Sequence, residues 1–478
     1  MQAVTPAQVP PVLCVDLDGT LARTDTLLES IIALARRRPW LLALLPLWLL
    51  RGRPHMKARV AAYTDLDAAA IPYNAEVVEF LRRERDSGRT IVLATASHVT
   101  SARRVADHLG LFTAVHATDG DINLKGARKA EALSRIYGAG AYSYAGNSRA
   151  DLAVWESARS AVLVDVPDAV RAQLDPRLPV EREFARATSP VFELWRSLRP
   201  HQWIKNALLA VPLLTAHRYL DPHAVAQTLL AIVAMCLAAS AIYVVNDLLD
   251  LAADRRHPTK RGRPLAAGTL PLGWGIGVVP VLVLVAALVS LALPVAFSVG
   301  LAAYALAAIV YSLWIKQAAW LDAAWLAGLY TLRIYLGALA IGVPVSAWLL
   351  AFATFAFLSL AFLKRFTELE GLAERPGVDR ARGYHLDFRK RVEVVGLACA
   401  FLAAGVLVLY FESETVAVLY RRPWFLWGVG PLLLYLLLKA WWMARRGRMH
   451  EDPVVYGFRQ PDTYLVLAAV LALILAAR

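Results

Sequence analysis

Between about residue 192 and residue 478 the chain passes through one long apolar run after another, each close to the roughly 20 residues a helix needs to cross a bilayer. The runs fall at 205–217, 225–245, 271–290, 293–313, 321–341, 345–363, 391–410, 423–442 and 462–477. This pattern predicts an all-α membrane domain of about nine transmembrane helices over residues 191–478, the first of them short enough to tilt, break or begin earlier. With 58% hydrophobic residues the chain has too much apolar surface to stay disordered in water. With 19% charged residues it also falls short of the roughly one quarter usual for soluble proteins. Cys14, Cys236 and Cys399 sit in separate apolar runs, which excludes a disulfide scaffold and metal-type cysteine spacing.

Residues 1–190 read differently, as a soluble α/β domain in which short strand-like runs such as Val12–Val15 and 90–93 alternate with charged helical stretches. Residues 1–10 lack the basic start and apolar core of a signal peptide. Residues 39–50 are very apolar, but twelve residues are too few to span a membrane, and they predict a helix in a small cap, buried or facing the membrane. Residues 175–189, rich in Pro, Arg and Glu, make the join.

The net charge of +13 is unevenly placed. The loop after the second run holds Arg255, Arg256, Lys260, Arg261 and Arg263, and the loop after the fourth holds Lys316. The loop after the sixth holds Lys364, Arg365, Arg375, Arg380, Arg382, Arg389, Lys390 and Arg391, and that after the eighth Arg445, Arg446 and Arg448. Alternate loops are mostly uncharged, apart from His217, Arg218, Arg421 and Arg422. The positive-inside rule then puts the basic loops and the soluble domain in the cytoplasm, and nine spans would leave the C-terminus outside. The excess charge points to anionic lipid rather than nucleic acid.

The strongest local signal of the soluble part is Val12-Leu-Cys-Val-Asp16-Leu-Asp18-Gly19-Thr20. An apolar strand ends in two carboxylates at i and i+2, where an α/β fold opens its ligand crevice. Asp16 is placed to attack phosphorus as a nucleophile, and Asp18 to protonate the leaving alcohol and then activate water. The segment resembles the haloacid dehalogenase superfamily, whose first motif is DxDGT. The resemblance covers roughly residues 10–175 and implies a Rossmann-like sheet with a small helical cap. It identifies Ile91-Val-Leu-Ala-Thr95-Ala-Ser97 as the second motif, with Thr95 as the hydroxyl that holds the phosphate. Gly126-Ala-Arg-Lys129 resembles the third, whose lysine neutralises phosphoryl charge, with Lys125 a rival for that part. Tyr144-Ala-Gly146-Asn147-Ser148-Arg-Ala-Asp151 resembles the fourth, an acidic loop that helps hold Mg2+. Here Asn147 stands where the family usually has its first acid. The resemblance implies a metal set of Asp16, Asp18, Asn147 and Asp151.

The second strong signal is Tyr243-Val-Val-Asn246-Asp247-Leu-Leu-Asp250-Leu-Ala-Ala-Asp254, followed by Lys260 and Arg263. On a continuing helix Asn246, Asp250 and Asp254 share a face, and three oxygen ligands suit Mg2+, which in turn suits a diphosphate. Lys260 and Arg263 are placed to clamp that diphosphate, and Asp247 lies about 100° round the helix. Acids at the end of a membrane helix are functional candidates by default. The motif resembles the NDxxDxxxD of the UbiA superfamily of intramembrane prenyltransferases, with a resemblance covering roughly residues 195–478. Tyr311-Ser-Leu-Trp-Ile-Lys316, Leu321-Asp322 and Arg333 also resemble this superfamily.

Aromatic prenyltransferases of that kind carry a second acidic motif after the sixth span. Here the loop begins Phe362-Leu-Lys364-Arg365-Phe-Thr-Glu368, so two cations replace part of the acidic pair. That loop, Arg199-Pro-His-Gln-Trp203-Ile-Lys205-Asn206 and Asp452-Pro-Val-Val-Tyr456 resemble the branch that makes decaprenyl-phosphate phosphoribose. The resemblance implies phosphoribosyl pyrophosphate as donor and a polyprenyl phosphate as acceptor, with Lys205, Tyr311, Lys316, Lys364, Arg365 and Glu368 as substrate contacts. The fusion then suggests an Mg2+-dependent bifunctional enzyme of a bacterial-type plasma membrane, serving cell-envelope synthesis, whose soluble domain dephosphorylates the lipid-linked product. An aromatic prenyltransferase with a prenyl diphosphate donor, a regulatory soluble domain and a transporter are the competing readings.

Overall fold

The structure of the chain, a computed structural model, describes residues 12–120, 123–186, 188–373, 380–381, 383–413, 416, 420–449 and 452–477. Residues 1–10, Arg375 and Arg382, weighed above, lie outside them. The chain packs into two compact units, Met1–Leu198 with Tyr243–Val279, and Arg199–Ile242 with Pro280–Arg478.

In the first unit, strand β1 (Val12–Val15) is apolar throughout because both of its faces are covered. Leu13 and Val15 enter one core with Ile91 and Leu93, while Cys14 enters the other with Val92, Tyr142 and Tyr144. The remaining strands are β2 (Thr90–His98), β3 (Ala114–Thr118), β4 (Tyr142–Gly146), β5 (Ser160–Val164) and β6 (Val180–Phe184). They form one six-stranded sheet in the order β3-β2-β1-β4-β5-β6, with every pairing parallel. The order reverses beside β1, and such a switch point opens a crevice at the carboxyl ends of the strands. Helix α1 (Thr26–Arg37) starts sharply because Asp25 accepts from the N–H groups of Leu27 and Leu28, each at 2.9 Å.

The apolar residues 39–50 form two short pieces, a 3-10 helix Pro39–Leu44 and an α-helix Leu45–Leu50. Trp48 is buried, whereas Trp40 is 68% and Leu50 85% exposed. Helix α2 (Arg53–Tyr63) follows and packs Val60 against Leu34 and Trp48.

The described residues hold seven helices long and apolar enough to cross a membrane: Pro222–Leu249, Leu272–Ser290, Val295–Leu313, Leu321–Ala340, Ala347–Leu372, Leu386–Phe411 and Pro423–Arg445. The first expected span, 205–217, is instead a 3-10 helix Pro200–Ala210 followed by a five-residue helix, Val211–Thr215. Pro212 lacks an amide N–H, so it suits the start of a new helix and not the middle of a long one. The last expected span is the apolar helix Pro461–Ala477, 17 residues long. At about 1.5 Å per residue it reaches about 26 Å, short of the roughly 30 Å hydrocarbon core. All three cysteines are buried free thiols.

Candidate active sites

Asp16 follows directly on β1, at the switch point, and its backbone N–H donates to Ala145 O on β4 at 2.9 Å. The next turn needs a glycine: Gly19 has φ +78°, and a Cβ there would lie 2.1 Å from Asn147 Nδ2. That missing side chain is what lets the loops after β1 and β4 meet. Helix α3 (Ala127–Tyr137) brings Lys129 in on its first turn, where Nζ donates to Asp16 Oδ1 at 2.9 Å and to Tyr144 Oη at 2.7 Å. Tyr144 in turn donates to Asp151 Oδ1 at 2.8 Å. Lys129 is therefore the lysine on Asp16, and Lys125 lines the same cavity further out.

Asp18 is held by Thr26 N–H at 2.8 Å and by the Ser97 hydroxyl, which also meets Thr26 Oγ1 at 2.7 Å. Thr95 sits one pleat deeper, is fully buried, and accepts from Ser97 N–H at 3.0 Å. Residues i and i+2 of a strand face the same way, and β2 runs on to His98, so the residue nearer the strand end reaches the cavity. Of these two hydroxyls Ser97 lines the cavity, and the expected Thr95 lies behind it. The cavity measures about 340 Å³. Burial pushes the Asp16 carboxyl up from its ordinary range; Lys129 opposes the shift, and repulsion from Asp151 and Asp18 adds to it. Burial also raises Asp18, with repulsion from Asp25, against its hydrogen bonds from Ser97 and Thr26.

A hard cation suits this donor set in kind, since every candidate ligand is an oxygen and the acids repel one another. Asp151 is already well occupied: Oδ2 accepts from the N–H groups of Asn147 (3.1 Å) and Ser148 (3.0 Å) and from Ser148 Oγ (2.9 Å). Among the described residues no three His, Cys, Asp or Glu side chains converge as a metal group. A cation here would be held chiefly by Asp16 and the Asn147 amide, with Asp151 orienting the loop.

The second acidic motif also belongs to the first unit. Helix α4 (Pro222–Leu249) ends at Leu249, Asp250 interrupts it, and α5 (Leu251–Arg256) resumes in register, with Asp250 N–H on Asn246 O and Asp254 N–H on Asp250 O. Asp247 and Asp254 lie on one guanidinium, with Arg263 Nη1 3.0 Å from Asp247 Oδ1 and 2.5 Å from Asp254 Oδ2. Seven residues turn a helix by about 700°, so i and i+7 come within about 20° of eclipse, closer than Asn246 is to Asp254. Asp247 is thus a full member of this acidic group. Asp250 lies 3.7 Å from Arg36 of α1, whose Nη1 also donates to Leu249 O at 3.1 Å. Burial pushes Asp254 up, with Arg263 opposing. Lys260 sits on the turn Lys260–Gly262 just before Arg263.

The second unit gathers a different cluster. Lys205 and Lys364 share one carboxylate oxygen, Asp452 Oδ2, at 2.7 and 3.1 Å. Burial works against this charge, but the two lysines hold Asp452 below the usual carboxylate range. Arg365 is fully buried, with Nε 2.6 Å from Asp322 Oδ2, Nη2 3.2 Å from Tyr311 Oη and Nη1 paired to Glu368. Arg333 donates to Asn206 Oδ1 at 3.2 Å and to Tyr304 Oη at 2.5 Å. Lys316 lies on the turn Ile315–Gln317. Asp452, Tyr304 and Asp322 were not read as site residues from sequence. Asp452 opens the segment Asp452-Pro-Val-Val-Tyr456 after the eighth apolar run, and that position is its signal in the sequence.

The chain matches the haloacid dehalogenase-like hydrolase family over residues 13–156 and the UbiA prenyltransferase family over residues 207–476. It is 34% identical to the uncharacterized protein y4nM of Sinorhizobium fredii, over 96% of this chain and 89% of that one. It is 33% identical to the nodulation protein NoeC of Azorhizobium caulinodans, over 60% of this chain and 94% of NoeC. It is 36% identical to the decaprenyl-phosphate phosphoribosyltransferase of Mycobacterium tuberculosis, over 51% of this chain and 81% of that enzyme. Seven apolar helices and a family that spans more than half of the sequence make it an integral membrane protein. The chain belongs to the UbiA prenyltransferase family and carries a haloacid dehalogenase-like domain ahead of its membrane domain.

Proposed function

We propose that the chain carries out two successive steps on one lipid. The membrane domain, from residue 191, transfers 5-phosphoribose from phosphoribosyl pyrophosphate to a polyprenyl phosphate. The N-terminal domain, residues 1–190, then removes the 5-phosphate of the lipid-linked product.

One observation carries the transfer step. Where a second acidic motif would serve a second metal-bound diphosphate, the chain sets Lys364 beside Lys205 on the single carboxylate of Asp452. Two ammonium groups against one carboxylate leave a net positive site, and phosphate is the group it suits. The name of the mycobacterial relative supports the same acceptor class and the same transferred group. In this reading a phosphate oxygen of the polyprenyl phosphate attacks the anomeric carbon, the bond from that carbon to the diphosphate oxygen breaks, and diphosphate leaves. The acceptor is already anionic, so no base is needed. Asn246, Asp247, Asp250, Asp254, Lys260 and Arg263 serve the leaving diphosphate. Lys205 and Lys364 serve the remaining phosphate groups, and buried Arg365 positions Tyr311 and Glu368. Mg2+, implied by both families, supplies charge neutralisation on phosphate oxygens when bound.

In the second step a carboxylate oxygen of Asp16 attacks phosphorus, and the bond to the ribose O5 breaks as Asp18 delivers its proton there. Water then attacks the aspartyl phosphate, Asp18 takes the water's proton, and inorganic phosphate leaves. The raised Asp18 carboxyl fits a group that must hold a proton and return it. Lys129 neutralises the phosphoryl group. The basic loops support a cytoplasmic position for both sites at the plasma membrane. The exposed apolar face of Pro39–Leu50, bounded by Arg36, Arg37, Arg38 and Arg51, suits a lipid surface.

The test of the transfer step uses purified protein, Mg2+, a polyprenyl phosphate and ribose-labelled phosphoribosyl pyrophosphate. Label enters the lipid phase with wild type and falls at least about a hundredfold with Asp250→Ala. No labelled lipid from folded wild type would overturn the reading in favour of prenyl diphosphates and aromatic acceptors.

A further inference from the structure

Four cations and four carboxylates line the phosphatase cavity, and each carboxylate has partners of its own: Asp16 on Lys129, Asp151 on Tyr144, Asp18 on Ser97 and Thr26, and Asp25 on the N–H groups of Leu27 and Leu28. Lys129 is committed to Asp16 and Tyr144. Three more cations line the same cavity: Arg53 and Lys57 from α2, and Lys125 from the loop before α3. Lys57 is fixed in place, with Nζ donating to Ala96 O at 2.6 Å and to Asn123 Oδ1 at 3.0 Å. No hydrogen bond or ion pair engages the side chains of Arg53 and Lys125 among the described residues.

The three groups share one electrostatic field. Burial lowers the pKa of Lys57, Asp18 and Asp25 pull it back, and Lys125 and Arg53 push it down again. Like charges gathered in a partly enclosed cavity repel one another, and an anion between them relieves that cost. Lys129 serves the phosphoryl group on Asp16 in the reading above, so the anion that the other three suit is a second one.

We infer that Arg53, Lys57 and Lys125 form a second anion subsite, and that the cavity selects phosphate monoesters bearing a further, non-scissile phosphate. The inference rests on the phosphatase reading above and names the substrate class of that site. A ribose joined to a lipid through a phosphodiester and carrying a 5-phosphate has this chemistry, and about 340 Å³ is room for a sugar with two phosphate groups. Because two of the three cations come from α2, the residues that recognise the second phosphate and those that break the first bond lie on different elements.

The test uses full-length protein in detergent and two synthetic 5-phosphoribosides with the same short alkyl chain. One is joined through a phosphodiester and the other through a neutral ether. Phosphate release from each gives kcat/KM. Wild type prefers the phosphodiester by about tenfold or more, and added salt narrows the gap. The Arg53→Gln/Lys125→Gln double variant brings the ratio close to one, whereas Arg83→Gln, on an exposed helix face elsewhere, keeps the wild-type ratio. Equal rates on both substrates by wild type, or an unchanged ratio in the double variant, would overturn the subsite. Release no faster than from Asp16→Asn on both substrates would instead overturn the phosphatase reading itself.

Discussion

Glu29 and Arg255 form a two-point ion pair in the first unit, with Nη2 on Oε1 at 2.5 Å and Nη1 on Oε2 at 3.1 Å. Both side chains are less than a tenth exposed. Glu29 lies on α1, one turn beyond the Asp25 cap, and also accepts from Thr24 Oγ1 at 2.7 Å. Arg255 directly follows Asp254 of the acidic motif. Removing one partner leaves the other buried and unpaired, at a cost of about 3–5 kcal/mol. Glu29→Gln and Arg255→Met are each expected to lower the unfolding midpoint of the detergent-solubilised protein. The double variant recovers part of the loss, and that recovery separates the pair from two independent effects.

Ser97 and Thr95 separate two roles for the hydroxyls of β2. Ser97→Ala is expected to reduce phosphate release by about tenfold to a hundredfold with little change in melting, because its hydroxyl holds Asp18 at the cavity wall. Thr95→Ala is expected to act mainly on stability, because that hydroxyl is fully buried and orients Ser97 N–H. A steady-state assay of both variants beside a thermal melt reads the difference.

Asp452 is the carboxylate that keeps two ammonium groups together. Asp452→Asn removes the charge but keeps the shape, and ribosyl transfer is expected to fall by about tenfold to a hundredfold. Lys364→Met in the same assay raises KM for the phosphorylated donor more than it lowers kcat. An Asp452→Asn protein with wild-type transfer would detach this cluster from the transfer reaction.

Glu181 of β6 is held by groups from its neighbours in the six-stranded sheet. Glu181 accepts from Arg89 Nη1 at 2.8 Å and from Ser160 Oγ at 2.5 Å, with Ser143 on the same carboxylate. Burial opposes the charge, but Arg89, Ser143 and Ser160 overcome it and hold the folded-state pKa below the ordinary value of 4.5. A depressed carboxylate stabilises the fold above the unfolded-state pKa, and that stability is lost as pH falls through the folded value. Amide exchange of β4 and β5 is therefore expected to quicken below about pH 4.5 in wild type, with a flatter pH dependence in Glu181→Gln.

Much of this was legible in the sequence, for a physical reason. Asp16, Asp18, Lys129 and Asp151 sit at strand ends and helix starts, where short motifs fix direction as well as identity. Asp247 and Asp254 are near in sequence and in space, but a helix face drawn through Asn246, Asp250 and Asp254 leaves Asp247 about 100° aside although i and i+7 nearly eclipse. The pleat separating Thr95 from Ser97 depends on where β2 ends, and no residue in that run marks the end. Asp452 and Lys205 lie in distant segments, and their meeting belongs to helix packing that no local pattern encodes. Hydropathy found the long helices but read residues 205–217 as a span, because averaging over that window does not register the break at Pro212.

With both steps on one lipid, the Asp16→Asn protein stops that lipid between them. It is incubated with phosphoribosyl pyrophosphate, Mg2+ and a polyprenyl phosphate, and the lipid product is weighed by mass spectrometry. Wild type is expected to accumulate lipid-linked ribose without a 5-phosphate, and Asp16→Asn the same lipid about 80 Da heavier, the mass of one retained phosphate. Lipid-linked ribose of the same mass from both proteins would contradict two steps on one lipid.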